Sequence, residues 1–288
     1  MTKGRIVKQS VAALLAAGWL LLGPPAAEAQ HKPPGSDAQH KPPAADTEKP
    51  PSGAEIMAQM AQNRQLAGSE AIVEFRVTNE KGETRKLTLK MATKLYPGEQ
   101  TEKRIYRFLE PEDVKGTGVL VFDHEKKADD IWLFLPEIRK VRRIVGNDKS
   151  EAFMGSEFTY GDLNIPPLDD YTYKLLGEEN QGGEKCYKVE VLPKPGTKDG
   201  YKKKIYWVSE KSYAVRRGLY YDMSGKLLKE LLTQDIKLLD EKNHRYRTTR
   251  MEMINHQNHR RSVFVTRKVA FRPNAKDDFF TTRFLERT

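Results

Sequence analysis

The sequence of 288 residues contains a single cysteine, Cys186, so no disulfide can form within the chain and the fold must be held by its core alone. Neither a CxxC pair nor a nearby histidine accompanies it. In the strand-like stretch 185–191 it alternates against Tyr187, Val189 and Val191, which reads as a packed, inert thiol. Beyond Leu22 no apolar run is long enough to span a bilayer as a helix. Nucleophile motifs and phosphate-cradling glycine loops are missing too. His256 and His259 lack carboxylate or cysteine company at metal-ligand spacing. The acidic sets Glu110, Glu112, Asp113 and Asp169, Asp170 sit beside prolines and turn residues, where carboxylates cap and solvate loops. These absences lead to the expectation of no catalytic residue, no metal and no cofactor. A glycosidase-type carboxylate pair stays open, because separation in space is not readable from sequence.

What is present begins with MTKGRIVKQSVAALLAAGWLLLG. Lys3, Arg5 and Lys8 precede an apolar run from Val11 to Leu22, and Ala27, Glu28 and Ala29 follow. That is the pattern of a secretory signal peptide over residues 1–29, cleaved after Ala29, and it places the mature protein in the periplasm. Residues 30–51 read as a disordered, proline-rich linker built on a nine-residue tandem repeat, AQHKPPGSD then AQHKPPAAD. Its His31 and His40 reflect the duplication rather than a metal site. The formal charge is +10, of which about +8 stays on the exported part. In the cytoplasm such a balance would point to nucleic acid. Outside it, no nucleic acid is expected, and an anionic membrane surface or an acidic partner is the better match.

Residues 52–288 read as one folded domain. Ser52 and Glu55 form a capping-box signature, and Ile56, Met57 and Met60 follow at helical spacing, predicting a short helix over 52–66. From there the period changes to two. Leu87, Leu89 and Met91 alternate with Lys86, Thr88 and Lys90, and similar runs recur to residue 271 between turn signals such as Lys81-Gly82, Gln181-Gly182-Gly183 and Ser224-Gly225. Many strands joined by short turns predict a large antiparallel sheet, curved or closed into a barrel. One segment resists: Lys226–Leu239 carries leucine pairs four apart and reads locally as an amphipathic helix, while its place among strands argues the other way.

The most distinctive part is Asp130–Ile144, DIWLFLPEIRKVRRI, followed after a short loop by Ala152–Leu163, AFMGSEFTYGDL. The pair closely resembles the outer-membrane lipoprotein-sorting family, the LolA-like periplasmic proteins, in the branch with "W-x-Y-L-P-x-x-x-K-x-R-R" and "S-F-M-G-S-x-F-x-Y-x-D-L". Phe134 stands where the branch has Tyr, and Ala152 where it has Ser. Glu110–Thr117, Asp170–Glu178, Cys186–Glu190, Tyr206–Val208 and Tyr221–Gly225 continue the resemblance in order, so that it covers about residues 56–285. It implies a mainly β protein with short helices: an unclosed, strongly curved antiparallel β-barrel of the LolA/LolB/RseB kind, with a helical lid on its concave face. It implies a carrier that holds acyl chains of lipids or lipoproteins in an apolar cavity and works with a membrane transporter or an outer-membrane acceptor. A lipid-sensing or accessory subunit of a transporter or signalling protein is the second reading, and a hydrolase a distant third.

Within that frame, Phe153, Met154, Phe158 and Tyr160 are the candidate lid residues, beside the bend-permitting Gly155 and Gly161, and Trp132 and Phe134 join them as candidate cavity lining. The sequence leaves open whether this stretch is a lid or a fixed, core-filling connection. Arg139, Lys140, Arg142 and Arg143 are the candidate docking residues for an acidic headgroup or partner, against the plainer reading of a solvated strand edge.

Overall fold

The computed structural model describes residues 49–145, 149–164 and 166–287. The expected leader, most of the linker, His31 and His40 lie outside the described residues. The folded part opens with α1 (Gly53–Arg64), whose Ser52 Oγ accepts from the Glu55 amide while the Glu55 carboxylate accepts from the Ser52 amide. Ile56, Met57 and Met60 form its buried face, as their spacing predicts.

Six strands follow as a meander: β1 (Gly68–Thr78), β2 (Thr84–Tyr96), β3 (Thr101–Glu110), β4 (Gly118–His124), β5 (Asp130–Leu135) and β6 (Lys140–Ile144). After a long connection, seven more run back: β7 (Tyr171–Gln181), β8 (Glu184–Pro193), β9 (Lys203–Ser209), β10 (Val215–Tyr221), β11 (Leu227–Asp240), β12 (Arg245–Asn255) and β13 (Arg261–Phe271). A four-residue helix, α2 (Thr282–Leu285), ends the described chain. All the described strands join one antiparallel sheet in the order β6-β5-β4-β3-β2-β1-β13-β12-β11-β10-β9-β8-β7. β1 pairs with β13 over Ser69–Thr78, and β6 and β7 are left as the two edges, which makes the expected unclosed barrel.

The two faces follow from alternation. On the inner face Val73 faces Leu89, Leu89 faces Phe108, Met91 faces Tyr106, Tyr106 faces Val119 and Val119 faces Leu133, an apolar ladder across five strands. On the outer face Ala92, Ile105, Leu120 and Phe134 form a second cluster, covered by Ala275, Phe280 and Leu285 of the chain end. Gly118 makes room for that cover, since a Cβ there would lie 2.7 Å from Leu285 Cδ1. Cys186 is fully buried beside Ile205 and Trp207, and burial first, then the Glu184 charge, pushes its thiol up to about 11.

The ambiguous leucine segment is strand β11, paired with β10 on one side and β12 on the other. A spacing of four satisfies both a period of two and a period near 3.6, so the leucines cannot discriminate. Two waiting strands, each with a row of backbone donors and acceptors, decide the matter.

The β1–β13 seam yields a test. A Cβ at Gly68 would collide with the Arg272 carbonyl oxygen, in a backbone whose Arg272 amide donates to Gly68 O at 2.9 Å. Gly68→Ala is expected to lower the free energy of unfolding by roughly 1–3 kcal/mol, read as a lower urea midpoint. An unchanged midpoint would show that the seam yields without cost.

Candidate functional site

The inner face encloses a cavity of about 1130 Å³. Residues from both halves of the sheet meet in it, from Phe75, Met91 and Tyr106 on one side to Tyr173, Val191 and Tyr220 on the other, as only a curved sheet permits. Its roof has two parts. The helix α1 packs Ile56, Met57 and Met60 against Tyr171, Val189, Val191 and Val208. The connection from β6 to β7 supplies the rest in short 3-10 turns at Phe153–Gly155, Gly161–Leu163 and Leu168–Asp170.

The cover segment is fixed by both bulk and hydrogen bonds. Phe153, with no exposed surface, sits among Phe75, Phe108, Tyr106 and Tyr160 at ring-centroid distances of 5.6–6.1 Å. Phe158 also packs on Phe75. Met154 is half-buried at φ 51°, and Gly155 follows at φ 74°, which is how the chain turns back within so few residues. Between them and Tyr160 lies a residue that motif and pattern do not single out, the buried Glu157. Its amide donates to Ser262 Oγ at 3.0 Å, its carbonyl accepts from Lys229 Nζ at 2.7 Å, and its carboxylate accepts from Asn255 Nδ2 at 2.7 Å and pairs with Arg260. A lone glutamate in a glycine-broken aromatic run is the available signal, because a buried charge needs partners.

The far end of the cover is held from the sheet. Leu163 O accepts from both Arg64 and Arg104, and Asn164 Oδ1 accepts from Arg104 Nη2 at 2.9 Å. Asn164 Nδ2 donates in turn to Asp129 at 2.9 Å. Asp129 is squeezed: burial first, then the nearby Asp123, raises its pKa to about 6, against Lys149 and the Asn164 amide.

Trp132 and Phe134 are corrected. They point to the outer face, Trp132 against Phe122 and Phe134 into the cluster closed by Phe280 and Leu285, and neither lines the cavity. Alternation tells their shared face but not which face is inward; Ile131 and Leu133, which alternate with them, are the inner residues. The lining that sequence reasoning missed is rich in methionine: Met57, Met60, Met91, Met251 and Met253, five of the eight in the chain. For Met91 the signal is its position in phase with Leu87 and Leu89.

The basic group divides as well. Arg139 lies in the turn before β6 at φ 48°, outside the strand that alternation predicts for it. Lys140 is exposed, Arg142 pairs with Glu151 at 3.4 Å, and Arg143 pairs with Asp130 at the cavity rim. The cavity lining reaches the two sheet edges, where we place its mouth: Arg143 and Val145 lie at the β6 edge on one side, and Asp169, Asp170 and the Lys194–Lys198 loop lie beside β7 on the other. Of the acidic sets, Asp113 pairs with Arg85 and Glu112 with Lys115, while His256 pairs with Glu230 at 3.0 Å. Among the described residues no group of three or more His, Cys, Asp or Glu is placed to hold a metal.

Two measurements check this site. Phe153→Ala should cost about 3–5 kcal/mol of stability, and Met154→Ala clearly less, in urea titrations; equal small losses would mean the ring is not a core anchor. Asp129 binds its proton more tightly folded than unfolded, so its charge destabilises the fold by roughly 2–3 kcal/mol above pH ~6 and is relieved as pH falls toward ~4. Asp129→Asn should therefore gain stability over the native protein at pH ~7, and the gain should shrink by pH ~4.5. A gain that grows on acidification would reverse the assignment.

Comparison with known proteins agrees with this architecture. A crystal structure of an outer membrane lipoprotein-sorting protein domain from Vibrio parahaemolyticus matches with 29% identity and a TM-score of 0.75, covering 82% of this chain and 98% of the other. A DUF1329 family protein from Desulfovibrio piger matches with 26% identity and a TM-score of 0.75, covering 81% and 97%. A LolA superfamily protein from Nitrosomonas europaea shares the fold at 20% identity and a TM-score of 0.62, covering 81% and 99%. No curated protein matches the sequence. Residues 100–287 match a family model described as "-like: Uncharacterized protein". This family model spans more than half of the chain, so the chain belongs to that family, and its unclosed sheet is similar to those of the outer membrane lipoprotein-sorting and LolA superfamily structures.

Proposed function

We propose that this protein is a periplasmic carrier that shelters acyl chains of lipids or lipoproteins in its cavity and moves them toward the outer membrane. The observation that carries the reading is the cavity itself. At about 1130 Å³ it exceeds the roughly 300–1000 Å³ of ordinary small-molecule sites. Its wall is set with methionines, whose unbranched thioethers adapt to chains of different shape. Each methylene moved from water into such a wall gains about 0.8 kcal/mol, so a tail can leave a membrane for the cavity at little net cost and leave it again. The Vibrio relative, by name a lipoprotein-sorting protein domain, supports the same class of cargo.

The docking face we assign to the β6 edge and the turn before it, where Arg139, Lys140, Arg142 and Arg143 lead up to the mouth. An anionic membrane there would bring cargo to the opening directly.

The test has two arms. Mass spectrometry of the protein purified from its own envelope is expected to find co-purifying lipid or acylated peptide, and a fluorescent fatty acid should bind in competition with it. Met251→Glu, which places a carboxylate in the wall, should weaken that binding about tenfold or more. A lipid-free preparation that also ignores the probe would overturn the reading.

A further inference from the structure

Three arginines converge on one end of the cavity. Arg64 comes from the last turn of α1, Arg104 from β3 and Arg247 from β12, and all three line it. Arg247 Nη1 donates to Arg64 O, and its Nη2 donates to Glu102 at 3.0 Å. Arg104 pairs with Asp123. Three guanidiniums thus share two close carboxylates, Glu102 and Asp123; the next pair out, Asp129 with Lys149, adds no net negative charge. Arg104 is only 5% exposed, yet its Nε has no hydrogen-bond partner among the described residues. Burial first, then repulsion from Arg104, lowers the pKa of Arg64; burial and the other two arginines, against Glu102, lower that of Arg247. That of Arg104 is raised, Asp123 outweighing burial with help from Tyr106 and Glu102. Arg64 and Arg104 also hold Leu163 O of the cover, but placing three guanidiniums at the wall of a pocket costs desolvation and gains nothing from a hydrocarbon tail.

The same end is polar on four strands, while β4, β5 and β6 carry Val121, Ile131 and Ile144 at that level and β13 carries Val269. Along the inner face β1 runs Ser69, Ala71, Val73, Phe75, and β2 runs Thr93, Met91, Leu89, Leu87. On β3 the order is Arg104, Tyr106, Phe108, and on β12 it is Arg247, Thr249, Met251, Met253. Ser69 faces Thr93 and Thr93 faces Arg104, so the polar ends coincide and the cavity grades from guanidinium to methionine and phenyl. A charged pair elsewhere in the wall is internally satisfied: Asp199 accepts from Lys204 Nζ at 2.6 Å and from Tyr171 OH at 2.7 Å.

We infer that the cargo is an acidic amphiphile, whose phosphate or carboxylate head seats against Arg64, Arg104 and Arg247 while its tail lies along Met91, Met251 and Phe264. This rests on the carrier reading and adds to it a head-group preference and an orientation. An anion there balances the third guanidinium and accepts charge-assisted hydrogen bonds from a cluster in which Arg104 Nε has no partner among the described residues.

The test displaces a bound fluorescent fatty alcohol with hexadecyl phosphate, hexadecanol or inorganic phosphate, all against the whole exported chain. Hexadecyl phosphate should compete about tenfold or more better than hexadecanol. In the Arg64→Gln/Arg247→Gln variant that ratio should fall toward one while hexadecanol competes as before; melting curves establish that the variant is folded. Arg64→Lys should retain part of the preference. Equal competition by the two amphiphiles in the native protein would overturn the head-group assignment and leave the carrier standing, whereas failure of both would remove the carrier reading itself. If inorganic phosphate alone raised the melting temperature as much as hexadecyl phosphate, the arginines would be a free-anion site and the amphiphile assignment would fall.

Discussion

The pairing of β1 with β13 is the constraint from which the rest follows. Each half of the sheet is a meander that folds locally, but this one seam joins the strand that starts the sheet to the strand that ends it. Once it forms, β6 and β7 are consecutive in sequence and lie at opposite edges. The described part of the chain between them packs on the inner face. The cover of the cavity is this connection, and its bulky residues fill space that the crossing would otherwise leave empty.

A crossing of that kind carries irregular backbone over an apolar surface, and its amides and carbonyls need partners that a β-ladder does not supply. The inner face accordingly contains polar side chains at two places. Ser262, Asn255 and Lys229 satisfy Glu157 at one, and Arg64 and Arg104 satisfy Leu163 O at the other. The first group gathers a lysine, an arginine and an asparagine around one glutamate of the cover itself. The second sets three guanidiniums against two carboxylates of the sheet. Holding the cover down accounts for Arg64 and Arg104 through Leu163 O, whereas Arg247 reaches α1 and Glu102 instead.

Much of this was legible in the sequence. Alternation in β1 and β2, the capping box of α1 and the glycine turns at Gly82, Gly182 and Gly225 set strand and helix identities through local rules that act over a few residues. What alternation cannot supply is which face turns inward, and so it assigns Trp132 and Phe134 to the cavity although Ile131 and Leu133 hold that position. Nor can it show assembly at long range: Arg64, Arg104 and Arg247 lie on three elements spread across the chain, each looking alone like an ordinary charged residue. Arg139 departs from its expected place for a different reason, since a tight turn of Pro136–Arg139 takes the first residue of the expected strand.

The location of the mouth bears on how such a cavity could be used. The end packed by Phe153, Phe158 and Glu157 is sealed by rings and by polar contacts from several strands, so opening it would expose a buried charge network as well as aromatic surface. Exposed residues of the cavity lining, Val145, Asp170 and Lys198 beside Arg143, lie at the two edges of the sheet, next to β6 and β7. The pairing register runs from Arg104 through Val121 and Ile131 to Ile144, so the arginine end of the cavity and the mouth lie at the same end of the sheet. An amphiphile that enters tail first therefore sends its chain toward the methionines, and its head stops at the arginines near the rim. In a membrane held against the β6 edge the head lies at the surface, where the exposed basic residues would meet it before the arginines do. The basic edge and the arginine end would then act in sequence on the same head group. On this proposal entry at the sheet edges would leave the packing of Phe153 and Phe158 undisturbed.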